Sequence, residues 1–292
     1  MKFTKMEGCG NDYVYVDCTK ELIKEIEKTA VLVSDRHFGI GSDGLILIKS
    51  SSVADFEMDM YNLDGSRGKM CGNGIRCVAK YVYDHGLTDQ TRITVDTASG
   101  IKTLDLTAEG GRVSRVRVDM GEPQITPEKV PVDPSVLGLP MKEALVDREV
   151  SIGGEAYRIT CVSMGNPHCV TFIDQDVREF PLEQVGPLFE KHPLFPEQVN
   201  AEFIHVIDRT HLQMRVWERG SGETMACGTG ACASFYAAYL NGFTEASAEV
   251  ELLGGTLQIE YEKETNHIFM TGPATEVFTG EILLPWEAEK GE

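Results

Sequence analysis

The sequence predicts an α+β protein of two structurally similar pseudo-repeat domains. Each is a curled, mainly antiparallel sheet around a central helix, with the active site expected in the interdomain cleft. Three observations carry this. Cys71-Gly72-Asn73-Gly74 recurs as Cys227-Gly228-Thr229-Gly230, and each copy opens a helical stretch. The landmarks around the copies keep their distances: Asn11 precedes Cys71 by 60 residues and Asn166 precedes Cys227 by 61, Tyr61 and Trp217 each lie ten residues upstream, and Gly100 and Gly255 follow at 29 and 28. Finally, 292 residues exceed one comfortable core, and most of the apolar material comes in short runs rich in β-branched residues rather than at helical period.

In the first half the strand candidates are Lys2–Met6, Tyr13–Val16, Leu45–Lys49, Phe56–Asn62, Arg92–Asp96, Ile101–Leu106 and Val113–Met120. In the second half they are Tyr157–Ser163, Val170–Ile173, Glu202–Asp208, Leu212–Trp217, Ala248–Leu252, Leu257–Tyr261 and His267–Thr271. Helix signals are fewer. Thr19, in Thr19-Lys20-Glu21-Leu22, is an N-cap for a helix running toward Ala30 and Arg36. Ile75, Val78, Ala79 and Val82 recur at helical spacing after Cys71, with Gly86 as the stop; Ala231, Ser234, Phe235 and Ala238 do so after Cys227, with Asn241-Gly242 as the stop. Residues 122–149 hold five prolines and read as a connector, which places the domains at 1–121 and 150–292.

Composition narrows the function. A formal charge of −19 excludes a nucleic-acid partner, whose phosphates demand Lys/Arg surfaces. No stretch approaches the ~20 apolar residues of a membrane span, and Met1 to Asp12 does not resemble a signal peptide. A cytoplasmic protein with a small-molecule substrate is expected. Its eight cysteines are then expected to be reduced, either buried or catalytic.

A thiol at the first turn of a helix sits where unpaired N–H groups and the macrodipole favour negative charge, which predicts a lowered pKa. The flanking glycines let backbone N–H groups close on a carboxylate. Two such helix starts facing one another suit the inversion of a stereocentre: one thiolate removes a proton from one face while the other thiol supplies one to the opposite face. That chemistry requires neither a metal nor a cofactor. A buried, inert cysteine is the ordinary alternative, and Cys9, Cys18, Cys77, Cys161, Cys169 and Cys232 are assigned to it. Zinc binding is disfavoured because the cysteine spacings lack the usual pairing in the first copy and any nearby histidine partner.

Several motifs, spread over residues 8–232, together resemble the cofactor-independent amino-acid racemases, and within them the diaminopimelate epimerase family. They are Gly10-Asn11-Asp12-Tyr13-Val14, the run Arg36 to Gly44, Met70-Cys71-Gly72-Asn73-Gly74-Ile75-Arg76-Cys77, Met164-Gly165-Asn166-Pro167-His168-Cys169-Val170, and Glu218 to Cys232. The resemblance implies conversion of LL-2,6-diaminopimelate to the meso form by a homodimer, in lysine and peptidoglycan precursor synthesis. It implies Cys71 as proton donor and Cys227 as acceptor in that direction. It also implies backbone contacts to the reacting carboxylate from Gly72, Asn73, Gly228 and Thr229, with Asn11 nearby. Asn62, Asn166, Asn200, Glu218 and Arg219 would read the distal amino-acid end, and His168 and Glu218 would tune the thiols. Family relatives return their last strands to the first domain. Some carry a glutamine substrate contact where this chain has Gly44, a position that also suits the turn into the Leu45–Lys49 strand.

Physical sense agrees with that division of labour. Arg219 offers a bidentate fork to a carboxylate, Glu218 accepts from an ammonium, and asparagine amides serve a zwitterion's mixed demands. Rival readings are a racemase of a compact amino acid such as proline or hydroxyproline, an isomerase of the phenazine-biosynthesis type, and a non-enzymatic amino-acid binder. Arg219 with the three asparagines argues for a longer substrate than the first. The cysteine pair argues against the second, and the third predicts no α-proton exchange with any amino acid.

Overall fold

The computed structural model describes residues 1–20 and 22–288, with side chains to 286. The chain divides into two compact units, Met1–Val118 with Gly272–Glu292, and Asp119–Thr271.

The first unit contains β1 (Lys2–Gly8), β2 (Asn11–Asp17), α1 (Ile26–Ser34), β3 (Gly44–Lys49), β4 (Phe56–Asn62), β5 (Arg67–Gly68), α2 (Gly72–Asp84), β6 (Arg92–Asp96), β7 (Lys102–Glu109) and β8 (Arg112–Gly121). The second contains β9 (Arg148–Ile152), β10 (Glu155–Ser163), β11 (Pro167–Phe172), α3 (Leu182–Glu190), β12 (Asn200–Asp208), β13 (His211–Glu218), β14 (Gly222–Glu223), α4 (Gly228–Leu240), β15 (Ser247–Leu252), β16 (Gly255–Glu262) and β17 (His267–Gly272). The last strand, β18 (Thr275–Glu281), pairs antiparallel with β1.

The two sheets have one design. In the second unit the order is β9-β10-β11-β12-β13-β15-β16-β17, antiparallel except for the parallel pairs β11–β12 and β13–β15. In the first it is β18-β1-β2-β3-β4-β6-β7-β8, antiparallel except for β2–β3 and β4–β6. Parallel neighbours require a crossover. The second crossover of each sheet carries the helix that starts beside its cysteine.

Position by position, β18 holds the place in the first sheet that β9 holds in the second. The final strand thus belongs to the first unit, as the family resemblance implied, whereas the expected boundary at residue 150 shifts because residues 122–149 belong to the second. The five prolines do mark irregular backbone, but parts of that segment pack into the core although others are exposed. Val130, Val132 and Leu145 are buried in the second core with Phe180, Phe189 and Phe203. Gln124 bridges to Ser163, and the Asp133 N–H donates to the Leu194 carbonyl.

α2 forms where the helical apolar period predicts it. Ile75, Val78, Ala79 and Val82 are fully buried, each valine or isoleucine contributing roughly 1.5–3 kcal/mol of burial. α1 begins later than Thr19, because the Thr19 backbone N–H and hydroxyl both turn back onto the Asp17 carboxylate and Glu25 adopts left-handed φ 49°. Glu21, within the expected first turn, lies outside the described residues. α3 is absent from the expected elements because Gly186 and Pro187 interrupt its helical signal. Among the described residues no helix is long and apolar enough to cross a membrane.

Candidate active site

Both cysteines are N-caps. Cys71 has φ −130° and ψ 118° and its sulfur accepts from the Gly74 N–H at 3.3 Å; Cys227 has φ −116° and ψ 105° and its sulfur accepts from the Gly230 N–H, also at 3.3 Å. An extended residue just before a helix points its side chain back across the first turn, so the sulfur meets an otherwise unpaired amide. The backbone N–H groups of Gly72 and Asn73, and of Gly228 and Thr229, open the helices behind each thiol.

In the first unit, half-buried Cys71 directs its thiol to Asn11 Oδ1 at 3.1 Å. Asn11 Nδ2 in turn donates to Asp43 Oδ2 at 2.7 Å, and Arg36 bridges Asp12 and Asp43 at 2.8 and 2.9 Å. Burial, then the Asp12 carboxylate, raise Asp43 above the usual carboxylate range; burial would raise Asp12 as well, but hydrogen bonds from Arg36 and Lys5 hold it below. The Tyr13 phenol is pushed far up by burial and then by the Cys71 and Asp43 charges. Asn62, at the end of β4, donates to Ser66 Oγ at 3.0 Å. The Asn73 side chain turns inward and accepts from fully buried Arg76 at 3.0 Å, so only its backbone is offered at the helix start.

Gly44 lies within β3 opposite Asn62. A Cβ there would stand 2.1 Å from the Tyr61 carbonyl oxygen and 2.8 Å from Tyr13 Cε1. Close approach of a neighbouring strand and a ring, rather than a turn, is what excludes a side chain at this position.

In the second unit, Cys227 is 5% exposed. Its sulfur lies 3.5 Å from Thr229 Oγ1, Asn166 Nδ2 donates to Thr229 Oγ1 at 3.2 Å, and Asn166 Oδ1 meets His168 Nε2 at 3.0 Å. His168 Nδ1 is 2.6 Å from Glu202 Oε1, and both side chains are fully buried. Glu218 Oε1 accepts the Thr224 hydroxyl at 2.5 Å. The expected lowering of the thiol pKa does not hold at Cys227. Burial first, then the Glu218 and Glu202 carboxylates, raise it well above 9.0, outweighing the Thr229 hydroxyl and the Gly230 N–H.

Of the expected distal group, Asn166, Asn200, Glu218 and Arg219 lie in this unit, whereas Asn62 lies in the first. Asn200 spends its amide inside the protein, donating to the Pro167 carbonyl at 2.9 Å and accepting the Arg219 N–H at 2.9 Å. Glu190 holds the same turn through Trp217 Nε1 at 2.8 Å and the Gly220 N–H at 2.9 Å. The Arg219 guanidinium is exposed and donates to the Glu197 carbonyl at 2.9 Å.

Sequence reasoning gave no role to Asp43, Tyr13, Arg76 or Glu202. For Glu202 a signal existed: a lone carboxylate in the run Asn200-Ala201-Glu202-Phe203-Ile204, where a buried charge demands a partner. Among the described residues no group of three or more His, Cys, Asp or Glu is arranged to hold a metal ion.

The family description "Diaminopimelate epimerase" matches residues 3–126 and 160–277. A diaminopimelate epimerase of Agathobacter rectalis is 58% identical over 285 residues, covering 97% of this chain and 99% of the relative; that of Acetivibrio thermocellus is 55% identical over 284 residues with the same coverage. Among solved structures, a phenazine biosynthesis protein of the PhzF family from Bacillus anthracis aligns with TM-score 0.69 at 19% identity, covering 97% of this chain and 99% of that one. A probable proline racemase from Agrobacterium radiobacter K84 aligns with TM-score 0.68 at 13% identity, covering 97% and 93%. Likeness at such identities shows the shared fold and nothing more.

Proposed function

The chain belongs to the diaminopimelate epimerase family, and on that premise we propose that it interconverts LL- and meso-2,6-diaminopimelate by two-base α-proton transfer between Cys71 and Cys227. One observation supports this above the rest: two thiols occupy the same N-cap position in two copies of one sheet-and-helix design, each capped by a backbone N–H at 3.3 Å.

In the LL-to-meso direction the Cys227 thiolate takes the α-proton. The electron pair left on carbon delocalises into the carboxylate, which the N–H groups of Gly72, Asn73, Gly228 and Thr229 stabilise. The Cys71 S–H then gives its proton to the opposite face. One proton is taken and one given, Cys227 ends as thiol and Cys71 as thiolate, and reverse turnover restores them. Nothing in this balance calls for pyridoxal phosphate or a metal.

Asn62, Asn166, Asn200, Glu218 and Arg219 are assigned to the distal amino-acid end. Asn200 serves there by holding the turn that carries Arg219, since both ends of its amide are already engaged. An ammonium bound at Glu218 would neutralise the carboxylate that most raises Cys227 after burial itself, so substrate binding would help to activate its own base. The product feeds lysine and cell-wall precursor synthesis, and the working form is a cytoplasmic homodimer.

The test is proton NMR in D₂O with LL-diaminopimelate and a chelator, without added cofactor. Loss of the α-proton signal with growth of the meso isomer is the expected result. No exchange on this substrate, with exchange on proline or hydroxyproline, overturns the substrate assignment.

A further inference from the structure

Glu202 is a fully buried carboxylate with an unusual attachment. Its Oε2 makes no hydrogen bond among the described residues, and Oε1 has His168 Nδ1 as its partner at 2.6 Å. Glu190, also buried, shows the contrast: both its oxygens are taken by the indole and backbone N–H of the turn it braces. Glu202 braces no such turn. It lies against the first turn of α4, where a Cβ on Gly230 would stand 2.8 Å from Oε1, so the glycine is needed to admit it.

We propose that Glu202 is the terminal acceptor of a one-way hydrogen-bond chain through His168, Asn166 and Thr229 that aims the Thr229 hydroxyl at the Cys227 sulfur. The direction follows from donors and acceptors. A carboxylate only accepts, so His168 Nδ1 donates. Asn166 turns its Oδ1 to the imidazole at 3.0 Å, so Nε2 donates as well. Asn166 Nδ2 then donates to Thr229 Oγ1 at 3.2 Å, which leaves the Thr229 O–H to point at sulfur 3.5 Å away. The imidazole donates at both nitrogens, so although the bare charge of Glu202 raises Cys227, the chain works against it. What reaches Cys227 is a donor that favours the thiolate.

Replacing the carboxylate by an amide reverses the chain. A neutral imidazole that donates from Nδ1 has only an acceptor at Nε2. Asn166 must then flip to donate to it, and its Oδ1 captures the Thr229 hydroxyl. Four charged or titratable groups face Glu202 or share its field: His168 and Cys169 on β11, Glu218 on β13, and Cys227 at the start of α4. Among them only His168 stands in the chain to Cys227.

The inference rests on Cys227 as the base, but its test reads thiol ionisation without substrate, so its failure leaves the epimerase reading untouched. Residue-resolved alkylation by iodoacetamide is followed against pH in the native protein and in Glu202→Gln. The Cys227 midpoint is expected to rise by about one pH unit, roughly tenfold slower labelling at fixed pH, while the Cys71 profile stays in place as internal control. An unmoved midpoint overturns the chain. A lowered one also overturns it, and leaves Glu202 acting by bare charge. If Glu202→Gln fails to fold, which a disturbed Cys71 profile reveals, ¹⁵N NMR of the native protein decides: the chain requires a proton on both His168 ring nitrogens, and a singly protonated ring overturns it.

Discussion

Cys71 and Cys227 occupy one position in two copies of one backbone design, yet the hydrogen bonds behind them run in opposite senses. Asp43 accepts from Asn11 Nδ2, which turns the Asn11 carbonyl oxygen toward the Cys71 thiol at 3.1 Å. That chain ends in an acceptor and favours S–H. Behind Cys227 the order is Glu202, His168, Asn166 and Thr229, and that chain ends in a hydroxyl donor that favours S⁻. The backbone repeat supplies symmetry, whereas acid and base are set apart by the side chains that orient two asparagine amides. The difference matches the proposed direction, in which Cys71 gives and Cys227 takes.

The largest effect should come from removing either thiol. Positioned acid–base groups contribute about 10²–10⁴-fold, so Cys71→Ala and Cys227→Ala should each lose at least that much inversion. They should differ in exchange. Cys71→Ala keeps the base for LL substrate and can wash its α-proton into D₂O without inverting it, whereas Cys227→Ala cannot. Equal exchange in the two variants would break the assignment of roles. Next comes Arg219→Ala: charge-assisted hydrogen bonds contribute roughly 1.5–3 kcal/mol, so KM should rise about 10- to 100-fold with kcat little changed. A selective fall in kcat would place Arg219 at the reacting carbon instead.

pH sharpens the same contrast. As the proposed base Cys227 must be deprotonated to act, and burial with Glu218 and Glu202 raises its pKa well above 9.0. Below that value each unit of pH adds about tenfold thiolate. In the LL direction kcat/KM, corrected for substrate ionisation, should therefore still be rising where an ordinary thiol has finished titrating. A plateau well below pH 9 would mean that the empty site's raised pKa does not govern catalysis.

The repeat was legible in the sequence because glycines and cysteines at fixed spacing mark helix starts, and because β-branched runs mark strands. The parallel crossovers and the return of β18 to β1 were not, since pairing partners leave no local signal. Residues 122–149 read as a linker because proline frequency reports backbone irregularity, not exposure, and Val130 and Leu145 are fully buried there. At the site, the thiols and the Arg219 turn could be named from motifs. Asp43 and Glu202 escaped notice because their importance lies in which way an asparagine amide is turned, which only a three-dimensional neighbour can decide. The lowered Cys227 pKa failed for a related reason: the helix start was visible in sequence, but the burial and the two carboxylates that outweigh it were not.

The smallest change concerns Gly44, and it separates packing from chemistry. A glutamine there would carry the polar contact that some relatives place at this position, but its Cβ would meet the Tyr61 carbonyl oxygen at 2.1 Å and the Tyr13 ring at 2.8 Å. Overpacking of this kind costs typically 1–3 kcal/mol, so Gly44→Gln should lower Tm measurably and pull β3 away from β4. Tyr13→Phe in the same chain relieves nothing at the Tyr61 carbonyl, but it removes the phenol hydroxyl, whose ionisation the Cys71 charge opposes. That single variant should leave Tm nearly unchanged and move only the Cys71 alkylation profile, with Cys227 undisturbed. A Gly44→Gln protein as stable as the parent would show that β3 can give way here. Tyr13 would then be filling space left by a missing side chain, not forming part of the surroundings that set Cys71 apart from Cys227.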